Sequence, residues 1–101
     1  MATMTDRSEY VDKPILHWLD HDPLNDRPVD LDGLYTHLSE AARKNRDVEV
    51  CIFDRDGSRI FRAVYGPGDE ESLDLPELMQ AIRDCLDRAD SNSQRVELCL
   101  F

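Results

Sequence analysis

The alternation of apolar and polar positions is clearest over residues 48–65, where VEVCIF and RIFRAVY lie on either side of Asp56-Gly57. Asp-Gly between two apolar runs predicts a β-hairpin. With a two-residue turn, Ile52 faces Phe61, Val50 faces Ala63 and Val48 faces Tyr65 on one side of the ribbon. Phe53 with Ile60, Cys51 with Arg62 and Glu49 with Val64 fall on the other. The first side is nearly all apolar and the second mixed. A three-residue turn spoils this sorting, so the pattern selects the two-residue register.

The period becomes helical over 74–89. Leu75, Leu78, Met79, Ile82, Cys85, Leu86 and Ala89 form a continuous apolar stripe, and Gln80, Arg83, Asp84, Asp87 and Arg88 line the opposite side. Asp74 and Glu77 make a D-x-x-E capping box, with Pro76 in the first turn. A second amphipathic helix is predicted over 30–45, with Asp30 as N-cap, Leu31, Leu34, Leu38, Ala41 and Ala42 at helical spacing, and Asn45 as the left-handed stop. At the end of the chain, RVELCLF alternates as a strand, with Val96, Leu98 and Leu100 on one side and Glu97, Cys99 and Phe101 on the other.

Residues 10–19, YVDKPILHWL, fit two elements. As a helix, Asp12 caps it, Pro14 sits in the first turn, and Ile15, Trp18 and Leu19 share a face. As a strand, Ile15, His17 and Leu19 face one way, and Leu16 and Trp18 the other. The short helix is the preferred reading. Residues 1–9 lack periodicity and are expected to be a flexible leader, with 10–101 a single domain. Residues 20–29 and 66–73 read as loops.

The fold class is therefore α+β. Two amphipathic helices pack on one face of a small three- or four-stranded sheet, antiparallel or mixed, in the order (α or β)-α-β-β-α-β. A strand in the first position would give βαββαβ, the ferredoxin-like order.

Composition narrows the function. The chain of 101 residues carries 22 acidic and 12 basic side chains, a net charge of -10. The acids divide evenly between the two halves, so the whole surface is negative. Such a field repels nucleic acid and anionic membrane and attracts basic protein surfaces. No apolar run approaches a membrane span, and no signal-peptide pattern opens the chain. Cys51, Cys85 and Cys99 have neither CxxC nor zinc spacing and read as reduced thiols in a cytoplasm.

Candidate chemistry is sparse. His17 and His21, four apart, could share one metal ion if they lay on a helix. The nearby acid is Asp20 rather than glutamate, no third ligand is evident and Pro23 closes the segment, so no metal or other cofactor is expected. Asp54-Arg55-Asp56-Gly57 resembles the start of a calcium loop but lacks its later ligands. Gly66-Pro67-Gly68 is followed by acids that would repel phosphate. No nucleophile sits in a motif, and the chain is not expected to be an enzyme.

The acids remain. Asp20, Asp22, Asp26, Asp30 and Asp32 crowd one stretch, and Asp69, Glu70, Glu71 and Asp74 another. Asp30 and Asp74 are accounted for as helix caps; the others are an excess that the fold does not require. Spaced carboxylates can imitate the charge of a phosphate backbone. In size, acidity and lack of catalytic motifs, the chain resembles small inhibitors encoded by phages and mobile elements, including anti-CRISPR and anti-restriction proteins, and nuclease immunity proteins. That resemblance is one of composition, not of motif.

It implies a non-enzymatic module that binds a basic partner, a nuclease or other nucleic-acid-handling effector subunit, without touching nucleic acid or membrane itself. The contact residues expected are Asp20, Asp22, Asp26, Asp32, Asp69, Glu70 and Glu71, with Trp18, Tyr35 or Tyr65 as aromatic anchors. An exposed hairpin edge and the last strand could also pair between two copies as a homodimer. The alternative is a small accessory domain of a halophile, acidic for solubility; ten arginines against two lysines fit that origin.

Overall fold

The computed structural model describes residues 6–24, 31–67 and 74–101. A 3-10 turn at Asp6–Tyr10 leads into β1 (His17–His21), α1 (Asp32–Arg43), β2 (Val48–Phe53), β3 (Arg59–Tyr65), α2 (Leu75–Ser91) and β4 (Val96–Leu100). The strands form one antiparallel sheet in the order β1-β4-β2-β3. Each helix joins two strands separated by one other: α1 spans β4 between β1 and β2, and α2 spans β2 between β3 and β4. The result is two interleaved split βαβ units, an α+β fold.

Residues 17–21 are a strand, not part of a short helix. The reason lies outside the segment. Val96, Leu98, Cys99 and Leu100 of β4 are buried, and an unpaired edge there would bury backbone groups without partners. β1 supplies them, in the register His17↔Leu100 through His21↔Val96. The strand also runs two residues into the stretch read as a loop. Residues 1–5, 25–30 and 68–73 lie outside the described residues, and with them Asp26, the Asp30 cap, Asp69, Glu70 and Glu71.

The apolar stripes of both helices meet one face of the sheet. Leu34, Leu38 and Ala41 of α1 and Leu78, Met79, Ile82, Cys85, Leu86 and Ala89 of α2 pack with Val48, Val50, Ile52, Val96, Leu98 and Leu100. Each large side chain fully buried there contributes ~1.5–3 kcal/mol. The C-terminal ends of the helices follow the sequence closely, whereas α1 begins with Leu31 rather than Asp30 at its N-cap, without a side-chain cap bond. α1 stops at Asn45, which takes φ 54, while Arg46 N–H and Asn45 N–H bond Ala41 and Ala42 carbonyls at 2.9 and 3.2 Å, a Schellman motif. α2 ends the same way with Ser93 at φ 52, and Gln94 and Ser93 N–H reach Ala89 and Asp90 carbonyls at 2.8 and 3.1 Å. Asp74 sits at the N-cap of α2 in extended conformation, without the side-chain bond expected of a capping box.

The hairpin keeps the expected register from Val48↔Tyr65 to Ile52↔Phe61 and departs from it at the turn. Asp54 N–H bonds the Ser58 carbonyl at 2.8 Å and Gly57 N–H bonds the Asp54 carbonyl at 3.0 Å, with Gly57 at φ 86. The loop is thus three residues, Arg55–Asp56–Gly57. A bulge then sets Phe53 against Arg59 and restores the sorted register beyond it. The Asp54 carboxylate fixes the longer turn by accepting from Asp56 and Ser58 N–H, both at 2.9 Å.

The second face of the sheet carries its own small core. Residues 6–16, expected to be leader over 6–9 and part of a short helix over 10–16, run across it. Arg7 N–H bonds the Gly57 carbonyl at one end, and Leu16 N–H bonds the Leu100 carbonyl at the other. Between them Tyr10, only 5% exposed, packs on Cys51, Phe53, Cys99 and Phe101. Its ring stacks on Phe101 at 4.4 Å and meets Phe53 edge-on at 5.7 Å.

Ser93→Gly relieves a left-handed residue that carries a Cβ and is expected to stabilise the fold by ~1 kcal/mol; Gly57→Ala, with the opposite change, costs a similar amount. Denaturant midpoints of the two variants measure both signs.

Candidate functional site

β1 and β4 position the site. On the face away from the helices, Trp18 lies opposite Cys99, and Asp20 lies opposite Glu97. Two carboxylates directly across a strand pair repel each other. The structure offsets this with a cation for each. Arg95, just before β4, grips Asp20 with two nitrogens, Nε–Oδ1 at 3.0 Å and Nη2–Oδ2. Arg7 stands 3.5 Å from Glu97. Hydrogen bonding from Arg95 holds the Asp20 carboxyl below its usual range despite an opposing desolvation effect. Asp20 therefore stays ionised well below neutral pH.

These residues line an open groove of about 880 Å³, together with Asp22 and Leu24 after β1, Asp54 and Arg55 of the hairpin turn, and Asn92, Ser93 and Gln94 of the α2–β4 turn. Trp18 is 50% exposed and Leu24 84% exposed. The indole Nε1–H of Trp18 donates to Glu97, so the ring is held at the groove wall while one side of it remains accessible. Asp22 Oδ1 accepts from Leu24 N–H at 3.0 Å and shapes the turn that presents Leu24.

The structure thus brings Trp18, Asp20 and Asp22 together. It does not bring the others to them. Tyr65 faces the helices and packs against the main core, so it cannot anchor a partner at the groove. Asp32 opens α1, and Tyr35, although 51% exposed, lies on the same helix. Arg95 and Glu97 were missed because only the β1–β4 pairing places them beside Trp18, Asp54 because it needs the β2–β4 pairing as well, and Leu24 because it stands in a polar loop. The one local signal was Leu24, a lone large apolar residue in a polar loop.

The helical histidine pair does not form. In a strand, His17 and His21 are separated by four rises of ~3.3 Å, too far for one ion. His21 instead meets Asp90 of α2, Nε2–Oδ1 2.6 Å, and His17 packs against His37 of α1 with ring centroids 4.8 Å apart. Among the described residues, no group of three or more His, Cys, Asp or Glu is placed to hold a metal ion. Cys51, Cys85 and Cys99 are all buried free thiols.

Beside the Tyr10 core lies a second charged cluster. Glu49 accepts from the Tyr10 hydroxyl at 2.7 Å and from Arg62, and stands 3.5 Å from Lys13. Arg59 donates to the Tyr10 oxygen at 2.6 Å. Burial works against the Glu49 charge, but the Tyr10 and Arg62 hydrogen bonds outweigh it and hold this carboxyl below the ordinary value of 4.5. Burial pushes the Tyr10 phenol up, so it remains a donor.

Comparison with family models, with curated proteins and with solved structures finds no match. Among the described residues, no helix is long and apolar enough to cross a membrane.

A carboxyl with a depressed folded pKa stabilises the protein above its unfolded pKa, and that contribution disappears as pH falls through the folded value. Between pH 6 and pH 3, the wild type should therefore lose more stability than Glu49→Gln, and the two should converge at the acid end. Parallel stability–pH curves would contradict the role assigned to Glu49.

Proposed function

We propose that the chain is a non-enzymatic binding module that docks a basic protein, a nuclease or other nucleic-acid-handling effector, and inhibits it by occupying its anion-binding surface. The observation that carries the reading is Trp18, half exposed and hydrogen-bonded to Glu97 within a groove that also holds Asp20, Asp22 and Asp54. A fixed aromatic ring is the commonest kind of binding anchor, because little side-chain entropy remains to be lost. The surrounding acids favour a basic partner and speed its approach. The charges of the groove are tied to one another, Asp20 to Arg95 and Glu97 to Arg7 and Trp18, which suits a preformed electrostatic surface better than proton transfer. A cytoplasmic setting goes with this reading. Asp26, Asp69, Glu70 and Glu71 extend the acidic contact in the proposal, outside the described residues.

One observation favours the accessory-domain alternative: 22 acids are spread evenly over the chain, and ten of the 12 bases are arginine. That reading needs no partner, and it makes the fold weak in dilute buffer and stronger in molar KCl.

Immobilised protein exposed to lysate of its own cells at low and high salt separates the two. The inhibitor reading expects one basic nucleic-acid-handling protein, retained at low salt and released at high salt. Trp18→Ala should weaken that complex by roughly 30-fold or more, the scale of an aromatic anchor, and Asp22→Lys should slow association. Retention unaffected by Trp18→Ala removes the groove from the contact. A melting temperature that climbs steeply with KCl, with no partner retained, favours the accessory domain.

A further inference from the structure

Cys51 on β2 and Cys99 on β4 are direct cross-strand partners in the middle of the sheet. Both point to the face opposite the helices, and both are fully buried beneath Tyr10. Cys85 belongs to the core on the helix side, so the sheet separates it from the pair. We propose that Cys51 and Cys99 are a modification site: a dithiol that a low-molecular-weight disulfide oxidises to a reversible cross-strand disulfide when residues 6–16 lift from the sheet.

The backbone sets the distance. Glu49 and Phe101 exchange both of their backbone hydrogen bonds, at 3.0 and 2.9 Å. By the alternation of an antiparallel ladder, Cys51 and Cys99 are then also a hydrogen-bonded pair, with Cα atoms ~5.5 Å apart. A disulfide needs Cα atoms ~4.4–6.8 Å apart, so the bond can form without separating the strands. The side chains of such a pair start wider than the ~3.5–4.5 Å between Cβ atoms that a relaxed disulfide prefers. The bond is therefore a strained one, and strained disulfides are the readily reduced kind.

The cover explains why the thiols persist. Arg7 donates to the Cys99 sulfur and lies with its Cζ 5.2 Å from the Phe53 ring centroid, and Tyr10 closes the rest. Two backbone bonds, Arg7 to Gly57 and Leu16 to Leu100, tie this segment across the sheet near its ends. A segment held in this way opens locally at lower cost than the sheet beneath it. Once it is open, the thiolate of one cysteine attacks a sulfur of the oxidant RSSR and expels RS⁻. The second thiolate then attacks the mixed disulfide, forms the Cys51–Cys99 bond and expels the other RS⁻. Two electrons pass to the oxidant, which leaves as two RSH after taking the two thiol protons.

The test treats the folded protein with oxidised glutathione, alkylates the remaining thiols and maps non-reduced tryptic peptides by mass spectrometry. The expected product is a monomer lighter by two hydrogen atoms. Its peptide 47–55 is joined to peptide 96–101, Cys85 is alkylated, and dithiothreitol reverses the change. Cys85→Ser should form the same link. Tyr10→Ala should form it on the order of tenfold faster, because the cover is weakened. The proposal is overturned if the folded wild type and Cys85→Ser leave Cys51 and Cys99 separately alkylated, or if native oxidation yields the mixture of pairings that denatured protein gives. An unchanged rate in a folded Tyr10→Ala protein would overturn the gating by residues 6–16.

Discussion

Val50, Cys51, Ile52 and Phe53 of β2 pair with Leu100, Cys99, Leu98 and Glu97 of β4 in the middle of the sheet. All of these except Glu97 are buried. Two adjacent strands covered on both faces need two layers of cover, and the chain supplies them unequally. The helices bury one face with their apolar stripes. The other is closed by a short segment whose main buried contribution is Tyr10. Because β4 sits inside the sheet, neither its outer partner β1 nor its inner partner β2 is fully paired until residues 96–100 are in place. β1, α1 and the segment 6–16 all rest on strands that pair across long sequence separations.

The same pairing produces the groove. β4 needs a partner on its outer edge, and β1 provides it with a strand whose helix-facing residues, His17, Leu19 and His21, are half-buried. The alternate residues, Trp18 and Asp20, are thereby turned to the opposite face beside Glu97. The like-charge contact this creates is held by Arg95 and Arg7, and the indole finishes the network. A groove with an aromatic ring, an exposed leucine and ionised carboxylates follows from satisfying an edge strand. The acidity that composition reveals becomes local there: Asp20, Asp22 and Glu97 lie around Trp18, whereas Asp32 and Tyr65 belong elsewhere in the fold.

What was legible in the sequence was local. The stripe from Leu75 to Ala89, the Asn45 stop and the alternation of 48–65 each lie within one element or one hairpin, where period and turn chemistry act directly. Even the hairpin shows the limit: Asp56-Gly57 marks the turn, but the Asp54 side chain lengthens the loop and a bulge restores the register. Residues 10–19 fit helix and strand about equally, and the pairing of 17–21 with β4 decided between them. Tyr10 gave no periodic signal, because a single aromatic residue in a polar segment announces burial only when Phe53 and Phe101 are beneath it. In the site, Trp18, Asp20 and Asp22 were visible as neighbours in sequence; Glu97, Arg95 and Asp54 became neighbours only through topology.

The central claim is that β4 lies between β1 and β2 and that residues 17–21 form its outer partner. Two-dimensional NMR on the whole chain tests it most directly. The account predicts cross-strand contacts between Trp18 and Cys99 and between Cys51 and Cys99, with the slowest amide exchange in Val50–Phe53 and Leu98–Leu100. Helical contacts over residues 14–19, no contacts between those residues and β4, and fast exchange along 96–100 would contradict it.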